Sequence, residues 1–110
     1  MDRAGIAKAA FALPQVTHVV QWGASDVYKV GGKVFAIVGD ESISFKVTEI
    51  AFMVLTESGI GRQAPWCAKG QWAAVSYDAA DDADFTDWLA TAHSLIVGKL
   101  TKKLRAELGL

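Results

Sequence analysis

The stretch "DVYKVGGKVFAIVG", residues 26–39, decides the fold. Two β-prone runs flank a Gly-Gly pair, and glycine readily supplies the positive φ angles of a two-residue hairpin turn. Pairing across that turn sets Val30 opposite Lys33, Lys29 opposite Val34 and Tyr28 opposite Phe35. Side chains alternate across a strand. Tyr28, Val30, Phe35 and Ile37 are therefore expected on one face, with Val27, Lys29, Val34, Ala36 and Val38 on the other. The first set carries the larger groups and reads as core. Lys29 and Lys33 fall on opposite faces of the hairpin.

Working outward, "GDES" (39–42) turns the chain, and "ISFKV" (43–47) alternates apolar and polar. Strands over 25–30, 33–38 and 43–47 form an antiparallel meander, because their connections are too short for parallel crossovers. Upstream, "VTHVVQWG" (16–23) reads as extended, and residues 2–12 suit a helix stopped by Pro14. Downstream, Thr48 is placed to cap a helix over 49–57, with Gly59 just beyond its end. Two stripes compete for its inner face: Ile50, Met53 and Val54, or Phe52 with Leu55. Residues 58–70 read as a loop, and "QWAAVSY" (71–77) as another strand. From Asp81 on, Phe85, Trp88, Leu89, Ala92, Ile96, Leu100, Leu104 and Leu108 recur at helical spacing. The pattern predicts one long helix. Aspartates crowd its start and Lys99, Lys102, Lys103 and Arg105 its end, an order that suits the helix dipole. Gly98 marks the place for a bend.

The whole is one domain over residues 1–110, of α+β class, with an antiparallel β-sheet meander packed against N- and C-terminal helices. Apolar residues make up 52% and charged residues 21% of the 110, which is globular composition. A net charge of −1 weighs against a dedicated nucleic-acid binder but leaves room for a local basic patch. The single cysteine, Cys67, allows no internal disulfide and fits a reducing compartment. "MDRAGIAKAAFALPQ" lacks the pattern of a signal peptide, and no run approaches the ~20 apolar residues of a membrane span. The expected setting is the cytoplasm, without membrane contact.

The series "ALPQV", "WG" (22–23), "VYKVGGKVFAIV", "ISFKV", "APWCAKGQWAAV" (64–75) and "HSLIVGKLTKKLRAELG" (93–109) resembles the MmcQ/YjbR family of small bacterial proteins. The resemblance runs from about Leu13 to Gly109. It implies a frataxin-like (CyaY-like) fold and DNA binding through a "double-wing" arrangement of hairpins. Two departures stand out. Thr101 takes the place of a proline common in the family, which is expected to let the long helix run on unbroken. The residues before Trp72 carry less aromatic and basic character than is usual.

The candidate nucleic-acid-binding residues are Lys29, Lys33 and Lys46 on the meander, and Arg62, Trp66 and Lys69 in the 61–71 loop. Lys99, Lys102, Lys103 and Arg105 complete the set at the C-terminus. Phosphate contact needs positive charge more than fine geometry. The competing structural account is that lysines beside a tight turn protect sheet edges and that cations suit a helix C-terminus. Trp66 and Trp72 flank Lys69, a pattern suited to stacking bases beside a phosphate contact, although Trp72 and Trp88 also read as core. The acidic run Asp78, Asp81, Asp82, Asp84 and Asp87 is accounted for by capping rather than by a metal. Cys67 with His18 or His93 would make a minimal nucleophile and base, but no signature supports that pairing. The expectation is a non-catalytic binding protein for DNA, without cofactor or metal, as a monomer or weak homodimer. The alternative is a protein-interaction or small-ligand module working from the second sheet face or the Trp66 loop.

Overall fold

The computed structural model describes residues 1–110. The chain runs α1 (Arg3–Phe11), β1 (Val16–Gln21), β2 (Ser25–Val30), β3 (Lys33–Val38), β4 (Ser42–Lys46), α2 (Glu49–Glu57), β5 (Gly61–Gln63), β6 (Trp72–Ser76), α3 (Asp82–Val97) and α4 (Lys102–Leu108). The strands form one six-stranded antiparallel sheet in the order β1-β2-β3-β4-β6-β5. The α+β class and the antiparallel meander are as the sequence predicts.

At the hairpin, Gly31 and Gly32 take φ of +59° and +79°. Val30 pairs with Lys33, and Lys29 with Val34. The next pair is Tyr28 with Ala36, so Phe35 is an extra residue on β3. A bulge of this kind changes which side chains share a face. Phe35, Ala36 and Val38 all enter the core, and Ile37 turns to the opposite face. This corrects the predicted alternation. Strict period-two counting placed Ile37 inside and Ala36 and Val38 outside, and a single inserted residue reverses all three.

Every core-forming helix packs on one face of the sheet. Ile6 and Ala10 of α1, Leu55 of α2, and Phe85, Leu89, Ala92 and Ile96 of α3 join Tyr28, Val30, Phe35, Phe45 and Val75 in one cluster. Trp88 is half-buried and stacks on Phe45, with ring centroids 5.4 Å apart and planes 14° from parallel. Trp72 is half-buried and lies outside the cluster, a correction to its reading as core. In α2 the Phe52 and Leu55 stripe faces inward, leaving Ile50, Met53 and Val54 exposed.

The predicted long helix is two helices. α3 ends at Val97, and Thr101 opens α4 as its N-cap, its hydroxyl accepting a hydrogen bond from the Leu104 amide at 3.1 Å. Threonine in place of proline therefore does not let the helix continue. It supplies the side-chain oxygen that starts a new one. The break lets Leu100, only 4% exposed, seat against Gly31 at the hairpin tip. Strand β5, absent from the predicted elements, pairs with Ala73–Val75. No helix is long and apolar enough to cross a membrane.

Arg3 ties α1 to two turns. Its Nε and Nη2 donate to Asp26 at 3.0 and 2.7 Å, its Nη1 to Asp40 at 2.7 Å, and its Nη2 also to the Ala24 carbonyl at 2.8 Å. His18 Nε2 donates to the other Asp26 oxygen at 2.8 Å. Together His18 and Arg3 hold the Asp26 carboxyl below the usual carboxylate range.

Candidate functional site

The strand directions give the sheet two distinct ends. The β2–β3 tip, the end of β4, the 64–71 loop and the α3–α4 junction share one end, joined by the Gly31–Leu100 contact. The β1–β2 turn, the β3–β4 turn and the start of α3 share the other. Tyr77 secures that second end, its hydroxyl donating to the Gly39 carbonyl at 2.6 Å.

Most charges divide between these ends; the exceptions are Arg3, paired with Asp26 and Asp40 at the turn end, and Glu49, just past the end of β4. Asp26, Asp40, Glu41, Asp78, Asp81, Asp82 and Asp84 cluster at the turn end, with Asp2 beside them through the Met1 amino group, which pairs with Asp82 at 3.0 Å. Asp81 caps α3 by accepting from the Asp84 amide at 2.9 Å, so part of the acidic run has a structural role. The hairpin end carries Lys29, Lys33, Lys46, Lys69, Lys99, Lys102 and Lys103. No lysine of the chain forms a salt bridge.

The predicted basic residues do not all stand equal. Lys33, Lys69, Lys99, Lys102 and Lys103 are exposed, while Lys29 and Arg105 are half-buried. Lys46 is corrected from a phosphate contact to a packed residue. It is 6% exposed, and its Nζ donates to Gln71 Oε1 at 2.6 Å. Burial, followed by the nearby Lys99 charge, lowers its pKa. Lys102 and Lys103 also lose their predicted explanation. With the helix broken, they lie in the first turn of α4, where the dipole opposes positive charge and no acidic residue offsets it.

Arg62 and Trp66 belong elsewhere. Helices cover one face of the sheet, and on the other face a groove of about 530 Å³ runs between the β1–β2 turn and the 64–71 loop. Trp22 and Trp66 line it, together with Ile37, Ser25, Ser42, Ser44 and Arg62. Trp66 is fully exposed and Trp22 is 64% exposed. Both take positive φ, +63° and +51°, a conformation that is strained for a bulky side chain. Gln63 builds the Trp66 loop from within. Its Nε2 donates to the Ala64 and Cys67 carbonyls at 2.9 and 3.2 Å, and its Oε1 accepts from the Gly70 amide at 3.0 Å. Arg62 Nη2 reaches Ser42 Oγ at 3.4 Å and has no carboxylate partner. Trp22 was missed as a site residue. Its one sequence signal is adjacency to Gly23 at a strand end, and its opposition to Trp66 arises only in the folded sheet.

Cys67 also lines the groove, and burial pushes its thiol pKa up. Both histidines lie on the helical side. His93 Nε2 donates to the Pro14 carbonyl at 2.8 Å with its ring edge-on to Phe35, and His18 packs against Phe11 and Tyr28. The sheet therefore separates the thiol from either imidazole.

The fold and sequence have known counterparts. No curated protein matches the chain. Among solved structures it resembles the crystal structure of Deinococcus radiodurans protein DR2400, a DUF419 domain, with a TM-score of 0.85 at 21% identity over 96% of this chain and 86% of that one. The YjbR family model matches residues 11–95, which spans the whole sheet and most of α3. On that match, the chain belongs to the YjbR family.

Proposed function

We propose that the protein is a non-catalytic DNA-binding protein that presents its hairpin end to the phosphate backbone. The observation that carries this reading is the placement of Lys102 and Lys103. Both sit in the first turn of α4, against the dipole and without acidic partners, next to Lys99 at the hairpin tip. Positive charge gathered at a local electrostatic cost has a use when an anion binds there. Lys33 extends the same end, and Lys29 adds to it from the opposite face of the hairpin. Phosphate neutralisation by exposed lysines releases condensed counterions, so affinity falls steeply with salt.

The test is an anisotropy titration of a labelled duplex at about 50 mM salt, repeated at rising salt. The slope of log K against log salt is expected to be roughly −3 to −5, about −0.9 for each phosphate neutralised. The variant Lys33→Glu/Lys102→Glu/Lys103→Glu changes exposed side chains only and is expected to abolish most of this binding. Absence of binding at low salt, or equal binding by the variant, overturns the reading. The competing account, a protein-interaction module with no affinity for nucleic acid, predicts that null result.

A further inference from the structure

We infer that the groove on the open sheet face is a second, separate site, which takes a small molecule made of a planar aromatic ring and one anionic group. Three observations converge on that chemistry. Trp22 and Trp66 stand at the groove as exposed indoles, offering flat apolar surface to a flat ring. Such stacking is favourable for any π-face and tolerant of ring identity. Both indoles are held in left-handed backbone conformations, and the fold maintains each with dedicated contacts. Gln63 organises the Trp66 loop. Arg3 holds the Trp22 turn through the Ala24 carbonyl and Asp26. Strain that is maintained in this way, with little packing return from rings that stay largely exposed, is characteristic of binding surfaces.

Charge selects the second half of the ligand. Arg62 is exposed, makes only the long contact to Ser42 and lies among residues none of which carries a carboxylate. A guanidinium in that state is suited to pair with a carboxylate or phosphate. The hydroxyls of Ser25, Ser42 and Ser44 line the same groove and add neutral hydrogen-bonding capacity. A volume of about 530 Å³ is within the ordinary range for small-molecule sites. A mononucleotide has this composition: a ring to stack, a sugar for the hydroxyls and a phosphate for Arg62.

This site is independent of the basic end, and one set of experiments separates the two. Adenosine 5′-monophosphate is titrated into the protein, with adenosine and ribose 5-phosphate as controls, and followed by the four tryptophan indole N–H resonances. Saturable shifts of the Trp22 and Trp66 signals are expected, with those of the half-buried Trp72 and Trp88 nearly still. Removing either half of the probe is expected to weaken binding about tenfold or more. Arg62→Gln is expected to reduce the mononucleotide to the affinity of adenosine, and Trp66→Ala to weaken it about tenfold, with the urea midpoint unchanged in both variants. Lys33→Glu/Lys102→Glu/Lys103→Glu is expected to leave this binding intact even if duplex binding is lost. Absence of saturable shifts up to about 10 mM probe overturns the inference. So does unchanged affinity in Arg62→Gln.

Discussion

Alanine at the two hairpin glycines is predicted to do unequal damage. Both positions have positive φ, +59° at Gly31 and +79° at Gly32. Either substitution therefore incurs about 1–2 kcal/mol of left-handed strain. At Gly32 no atom lies within 4 Å of where a Cβ would stand, so strain is the whole cost. At Gly31 the same atom would stand 2.6 and 2.8 Å from the two Leu100 methyl groups. Leu100 is 4% exposed and has little room to move aside. Overpacking of that kind costs about 1–3 kcal/mol more. Gly31→Ala is thus expected to lose roughly 2–5 kcal/mol and Gly32→Ala roughly 1–2 kcal/mol. Urea unfolding followed by tryptophan fluorescence measures both, provided that the slope m is unchanged. Leu100→Ala alone is expected to cost about 2–5 kcal/mol. Combined with Gly31→Ala it removes the clash, so the double variant is expected to be more stable than additivity predicts by at least about 1 kcal/mol. Equal losses at the two glycines, or additive behaviour of Gly31→Ala and Leu100→Ala, would refute the seating of the helix junction on the hairpin tip.

Two further outcomes follow from single side chains. Burial raises the Tyr77 hydroxyl from an ordinary pKa near 10 to about 12, so between those values the folded state keeps a proton that the unfolded state has lost. Its contribution is complete below about pH 10, declines as pH rises and is gone above about pH 12. Tyr77→Phe should remove that part of the alkaline decline in urea midpoints and cost about 1 kcal/mol at neutral pH through the lost bond to Gly39. Thr101→Ala should cost about 1 kcal/mol by removing the α4 cap, whereas Thr101→Ser, which keeps the hydroxyl, should stay close to the parent in thermal melting.

The hairpin turn and its first two pairs are legible in the sequence because glycine chemistry and strand alternation are local. The bulge at Phe35 is not, because Phe35 and Ala36 both gain by entering the core, and only packing against α3 and β4 decides that both do. The limits of α2 follow from Thr48 as a cap, whereas its inner face does not, since two apolar stripes compete and the partner strands choose between them. The break before Thr101 is hidden by an unbroken apolar period. Leu100 fits that period either way, and its seat against Gly31 is about 70 residues away along the chain. Among the candidate site residues, the exposed lysines are readable from position alone. The regrouping is not. Arg62 and Trp66 join Trp22 across the open face only because β5, itself invisible in composition, adds to β6.

The division of charge between the two ends has a consequence for how the molecule behaves with its own kind. The longest dimension is 39 Å, whereas near 0.1 M salt the field of an exposed charge decays over about 10 Å. Each end then acts without reference to the other, and the formal charge of −1 describes neither. In dilute buffer near 0.01 M the decay length grows to about 30 Å, comparable to the molecule itself. The hairpin end of one copy then attracts the turn end of the next. A contact of this head-to-tail kind is heterologous, so any association it drives is expected to be open-ended rather than a closed pair. Weak association is therefore expected only at about 0.01 M salt, and light scattering that shows no rise in apparent mass as salt is lowered refutes it.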